Sequence, residues 1–179
     1  MKSLSKLYIL ILLLLVSCTP VLRQELIDSA LKNISPAEIK QQPELYVGKY
    51  FLLGGIIAET KMTSEGSLIE AMYQPVDSRG YLKGINTSHM RYLALFPKEN
   101  GILDPLIFKR GREITFVGEF VELKEGKIED LEYTYTYFKI IELYLWPEYK
   151  DYFIYYEPYP YWWDYPHWWY RPYYFPRRH

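Results

Sequence analysis

The chain has one cysteine in 179 residues, Cys18, and three histidines, His89, His167 and His179. A single thiol excludes an internal disulfide, so even in an oxidising compartment this fold stands on its hydrophobic core alone. His167 and His179 are too few and too far apart for metal-ligand spacing. A basic excess is also missing. The whole chain carries 21 Lys and Arg against 22 Asp and Glu. Residues 1–17 hold Lys2 and Lys6 and no acid, so the remainder has 19 basic against 22 acidic residues, a formal charge of −3. That balance lacks the basic surface that counterion release from nucleic acid requires, and nucleic acid is not an expected partner. Beyond the first 17 residues no apolar run approaches the roughly 20 residues of a membrane-spanning helix. No nucleotide, haem or zinc fingerprint is present, so no cofactor and no metal are expected.

What the chain does have begins at its N-terminus. Lys2 and Lys6 form a basic region, Leu7 to Val16 follow without a charge, and Leu15-Val16-Ser17-Cys18 ends the run. This is the layout of a secretory leader, too short to cross a bilayer as a stable helix. Leu at −3 and Ser at −1 before a lone cysteine mark the bacterial lipoprotein variant, in which the Cys18 thiol takes the lipid and becomes the new N-terminus. Each buried CH₂ of an acyl chain contributes about 0.8 kcal/mol, so two or three chains anchor firmly where one does not.

Composition divides the chain into a leader (1–17), a tether with short helices (18–42), a β-barrel domain (43–147) and a Tyr/Trp/Pro-rich tail (148–179). In the tether Leu22, Leu26, Ala30 and Ile34 recur at four-residue spacing. Ser35-Pro36-Ala37-Glu38 has the residues of a capping box with proline at the first helical position, and the turn it opens should stop before Pro43.

From Tyr46 to Trp146 the pattern predicts strands. Lys49–Lys61 is a long first strand interrupted by Gly54-Gly55, where a bend would let it serve both halves of a small barrel. Ser67–Tyr73, Arg91–Phe96, Glu113–Glu122 and about Glu132–Trp146 follow, with Lys124-Glu125-Gly126-Lys127 reading as the last turn. In the fourth strand Ile114, Phe116 and Phe120 share a face that the alternation sends to the core; Thr115 takes the opposite, cheaper face. The expected fold is mainly β. It is a small five- to six-stranded OB-like barrel with a short N-terminal helical segment and an extended aromatic C-terminal tail.

That tail is unusual. Residues 151–179 hold 15 aromatic side chains and five prolines, with Ile154 the one aliphatic core residue left. Proline at this density forbids a continuous helix or a central strand.

The order of several short motifs resembles the Slp family of outer-membrane lipoproteins. They are the box ending at Cys18, Pro43-Glu44-Leu45-Tyr46-Val47-Gly48-Lys49 leading to Gly54-Gly55-Ile56-Ile57, Gln74-Pro75-Val76-Asp77-Ser78-Arg79-Gly80, Arg91-Tyr92-Leu93-Ala94, and Gly111 to Gly118. An aromatic strand ending at Leu145-Trp146 closes the set. Two positions depart from the family pattern: Leu53 stands where a tryptophan is usual before the paired glycines, and Tyr92 where another aromatic is expected. The resemblance implies a lipid-anchored protein of the Gram-negative outer membrane, linked to starvation or stationary-phase stress, with no catalytic residues to carry over. By the sorting rule for such proteins, Thr19 in place of an aspartate also favours the outer membrane.

Candidate contact residues follow from chemistry. Asp77, Arg79 and Arg91 would hold a small molecule or oligosaccharide on the barrel; the bland reading of Asp77, Arg79 and Gly80 is a turn. Ser88 and His89 form a loop pair that lacks a third orienting group. In the tail Trp162, Trp163, Trp168 and Trp169, helped by Arg171, Arg177 and Arg178, suit a membrane interface, lipopolysaccharide, a glycan or an envelope protein. Their alternative is to fold back on the barrel. The expected function is thus a non-enzymatic envelope lipoprotein, with a ligand-binding module as the alternative.

Overall fold

A computed structural model of the chain describes residues 20–84 and 90–148. Two short helices come first, α1 (Gln24–Ser29) and α2 (Pro36–Gln41). α2 starts as its sequence dictates. The Ser35 hydroxyl accepts from the Glu38 N–H, and the Glu38 carboxylate accepts from the Ser35 N–H at 3.0 Å. Gln42, forced out of helical geometry before Pro43, ends it, and a 3₁₀ turn (Pro43–Leu45) leads to the sheet.

Five strands follow: β1 (Tyr50–Met62), β2 (Gly66–Gln74), β3 (Arg91–Pro97), β4 (Glu113–Ile128) and β5 (Leu131–Leu145). They close into a barrel in the order β1-β2-β3-β5-β4, with β3 and β5 parallel and every other pair antiparallel. This is the OB-like barrel expected from the strand pattern. β1 serves both sides, pairing with β4 from Tyr50 to Ile56 and with β2 from Gly54 to Met62. Gly54 and Gly55 lie where the two sets of partners overlap. At Gly55 a Cβ would collide with the Tyr92 hydroxyl and approach the Met72 carbonyl to 2.7 Å; at Gly54 it would meet Leu82 and Val76. Glycine is needed here for close approach on both faces of the strand.

The last hairpin differs from the sequence reading. Lys124 to Lys127 are strand, and the chain reverses at Glu129-Asp130, with Glu129 at φ 55°. Gly126 marks no turn. It faces Tyr133, and a Cβ there would stand 3.0 Å from the Tyr135 ring. The glycine gives room to an aromatic on the neighbouring strand.

The barrel interior is aromatic. Phe51, Tyr92, Phe116, Phe120 and Phe138 are fully buried, and their ring centroids lie 5.6–6.5 Å apart, mostly edge to face. Ile39 of α2 joins them from outside the sheet. Ile114, Phe116 and Phe120 point inward as the alternation requires. Thr115 faces the other way, yet it is also fully buried, because a second apolar layer covers that face. Leu22, Ile27 and Ala30 pack there with Leu52, Val76 and Val117, and the Thr115 hydroxyl accepts the Trp146 indole N–H at 3.0 Å.

The stretch read as a tether is therefore part of the packing. Within α1 the fully buried residue is Ile27, which the four-residue stripe does not include. Just after α1, the Leu31 N–H donates to the Tyr50 carbonyl at 2.8 Å, and the Leu31 carbonyl accepts from Leu52 at 3.1 Å.

Candidate functional site

Asp77 closes a turn in the β2–β3 connection. Its carboxylate accepts from the N–H groups of Arg79 and Tyr81, both at 2.9 Å, and its own N–H donates to the Tyr81 carbonyl at 2.8 Å. Partial burial alone would raise the Asp77 carboxyl; the two N–H groups and the charges of Arg79 and Lys83 outweigh that and hold it below its usual value. The carboxylate is thus occupied by its own loop. Arg79 contacts Asp77 at 3.6 Å and lies 5.4 Å over the Tyr81 ring, its side chain 62% exposed.

Arg91 is built into a different arrangement. At the start of β3 its guanidinium donates to Glu70 of β2 at 2.7 Å, and the same carboxylate oxygen accepts from the Tyr135 hydroxyl at 3.2 Å. The Arg91 N–H donates to the Tyr133 hydroxyl at 2.9 Å. Burial first, then the Glu70 charge and hydrogen bond, push the Tyr135 phenol up to about 12. Lys40 of α2 sits 4.1 Å over the Tyr133 ring. Glu70 and Arg91 line a polar groove of about 500 Å³ with Glu59, Lys61, Arg110 and Lys127. Asp77 and Arg79 are not among its lining residues. The expected trio is therefore divided: one member borders a groove, and two belong to a turn. Sequence reasoning missed Glu70, Tyr133 and Tyr135. The alternation of Tyr133 and Tyr135 with Thr134 was a signal that both tyrosines share one face, and Glu70 is the one charged residue in β2.

A second cluster surrounds the turn. Tyr81 packs on Trp146 at 5.6 Å between ring centroids, and Trp146 on Tyr144 at 5.0 Å. Arg112 donates to the carbonyls of Trp146 at 2.7 Å and Ile107 at 3.2 Å, fastening the β3–β4 connection to the end of β5. Leu106 and Ile107 in that connection are 84% and 53% exposed.

Cys18, the Ser88 and His89 pair, and Trp162, Trp163, Trp168 and Trp169 lie outside the described residues. Among the described residues no group of three or more His, Cys, Asp or Glu is placed to hold a metal ion, and no helix is long and apolar enough to cross a membrane.

The family model described as outer membrane lipoprotein Slp family matches residues 15–174. The chain belongs to this family. It is an outer-membrane lipoprotein, and the match spans the stretch from the Cys18 box through Trp146 on which the resemblance rested. Comparison with curated proteins finds no match. Among solved structures, a mitochondrial single-stranded DNA binding protein from S. cerevisiae is similar over 55% of this chain and 94% of its own, at 9% identity and a TM-score of 0.30.

Proposed function

We propose that this Slp-family protein is a non-catalytic envelope lipoprotein of a structural or stress-related kind. Acyl chains on Cys18 hold it to the outer membrane, and the aromatic stretch 151–179 contacts lipid headgroups or an envelope glycan. One observation carries the reading: the box Leu15-Val16-Ser17-Cys18 stands at the head of a chain that the lipoprotein family model matches from residue 15. The spending of Asp77 on its own turn and the pairing of Arg91 with Glu70 also favour a scaffold. The test is mass spectrometry of the mature N-terminus together with membrane fractionation. The native protein should start with an acylated Cys18 and fractionate with the outer membrane, and Cys18→Ser should accumulate as an unprocessed precursor. A free thiol at position 18, or cleavage elsewhere, overturns the reading.

A second reading has a specific observation behind it. The groove bordered by Arg91 and Glu70 carries paired charges held in place by Tyr133 and Tyr135, a setting suited to the hydroxyls of an oligosaccharide. Titration with neutral and acidic oligosaccharides, followed by NMR shifts of the groove residues, tests it. Shifts abolished by Arg91→Gln would support this reading, and flat titrations with every saccharide would remove it.

A further inference from the structure

The acylated residue and the barrel are very close in sequence. Leu22 is already buried, four positions after Cys18. An extended chain covers at most about 3.6 Å per residue, so the Val21 Cα stands within about 11 Å of the Cys18 Cα. The headgroup layer of one leaflet is itself about 5–8 Å deep. Acyl chains on Cys18 thus bring the part of the barrel beside Val21 onto the headgroups, with no linker to hold it away.

The neighbours of Val21 suit that position. A Cβ on Gly80 would lie 3.8 Å from the Val21 Cβ, so the Asp77–Tyr81 turn flanks Val21. Next to it come the 40%-exposed Tyr81, then Trp146 and Tyr144, then the exposed Ile107 and Leu106 tied in through Arg112. Arg79 lies over the rim of this cluster with most of its side chain in water. Tyrosine and tryptophan favour the membrane–water boundary, and an arginine fork matches phosphate oxygens.

We infer that Arg79, Tyr81, Tyr144 and Trp146, with Ile107 and Leu106 beside them, form the surface that this barrel lays on an anionic lipid headgroup layer. The inference rests on acylation of Cys18 and adds an orientation to it. The opposite prospect belongs to the β1–β2 turn at Ser64. It lies beyond the end of β1, which runs eight residues on from Gly54, at most about 26 Å of strand. It should face away from the lipid.

The lone native cysteine makes the test direct. Ser78→Cys, in the turn beside Arg79, and Ser64→Cys, in the β1–β2 turn, each add one exposed thiol at almost constant volume. The full-length lipidated proteins are placed in vesicles of phosphatidylethanolamine and phosphatidylglycerol and treated with a bulky, membrane-impermeant maleimide. Rates are normalised to total thiol after denaturation. The parent chain should not react, because its thiol is acylated. Position 78 should react several-fold more slowly than position 64, and Arg79→Gln with Tyr81→Ser should narrow that gap. A parent chain that reacts shows a free Cys18, which overturns the anchoring and the orientation together. A silent parent with equal rates at 78 and 64 leaves the anchoring intact and overturns the orientation alone. Slow reaction at 78 that appears without lipid and grows with protein concentration assigns the surface to a second copy of the chain instead.

Discussion

The hydroxyl of Tyr92 fills the space that a side chain on Gly55 would need. Tyr92 is fully buried inside the barrel, its hydroxyl has no hydrogen-bond partner among the described residues, and burial holds that phenol far above its usual titration range. The glycine in β1 and the tyrosine in β3 therefore form one packing unit across the barrel. Gly55→Ala should cost about 1–3 kcal/mol through overpacking. Tyr92→Phe should be close to neutral, since it removes an unsatisfied polar group. Together they should cost less than the sum of the two, with a coupling of about 0.5–3 kcal/mol in chemical denaturation. Strict additivity would show that the Met72 carbonyl, not Tyr92, forbids the side chain.

The two faces of β4 give a second measurement. Phe116→Ala should cost about 3–5 kcal/mol, the range for truncating a buried aromatic. Thr115→Ala should cost about 1–3 kcal/mol, because it takes the acceptor from the half-buried Trp146 indole N–H and opens a gap at a fully buried position. A Thr115 variant that melts with the wild type would mean that the α1 layer does not cover this face in solution.

Acid should loosen the Asp77 turn. The folded carboxyl lies below its unfolded value of about 3.9, so its stabilisation is complete above that pH and is lost as pH falls through the folded value. Asp77→Asn should weaken the protein at neutral pH and flatten the stability change below about pH 4. Urea midpoints at neutral and acid pH measure both effects. An unchanged acid slope in the Asn variant would assign the acid sensitivity elsewhere.

The tail can be tested in the intact chain. The intact chain should bind lipopolysaccharide or anionic vesicles with a blue shift in tryptophan fluorescence, and replacing Trp162, Trp163, Trp168 and Trp169 with serine should weaken that binding. Salt should weaken the share due to Arg171, Arg177 and Arg178, since exposed charges are screened within about 8–10 Å. Undiminished binding by the four-serine variant would make the tail a spectator.

The barrel was readable because its determinants are local. The paired glycines Gly54-Gly55, the inward set Ile114, Phe116 and Phe120, and the Ser35–Glu38 cap each depend on residues a few positions apart, although the irregularity of β1 falls between Ile57 and Glu59 and not at the glycines. The site was not readable, because it depends on residues that meet only through closure. Arg91 and Glu70 lie on paired strands, but Tyr133 and Tyr135 reach them across the parallel β3–β5 seam, which no short-range pattern encodes. Thr115 was misjudged for a related reason. Strand alternation tells which side a residue faces, and the helix α1 that covers that side lies about ninety positions earlier in the chain. Gly126 misled because a glycine that admits a neighbour's ring and a glycine that turns the chain look the same in one dimension.

The seam between β3 and β5 also bears on how the molecule is made. Tyr92–Leu95 align with Thr136–Lys139, and β5 is the strand that bridges β3 to β4. Pairing so distant in sequence is slow, on the order of milliseconds to seconds for β topologies of this kind. A polypeptide delivered from its N-terminus cannot complete the barrel before residue 145 arrives. Until residue 138 arrives, Phe51 and Phe116 lack Phe138, the ring that both of them touch. The late strand acts as a latch: without β5 there is nothing between β3 and β4, and the barrel closes only when the last strand is in place.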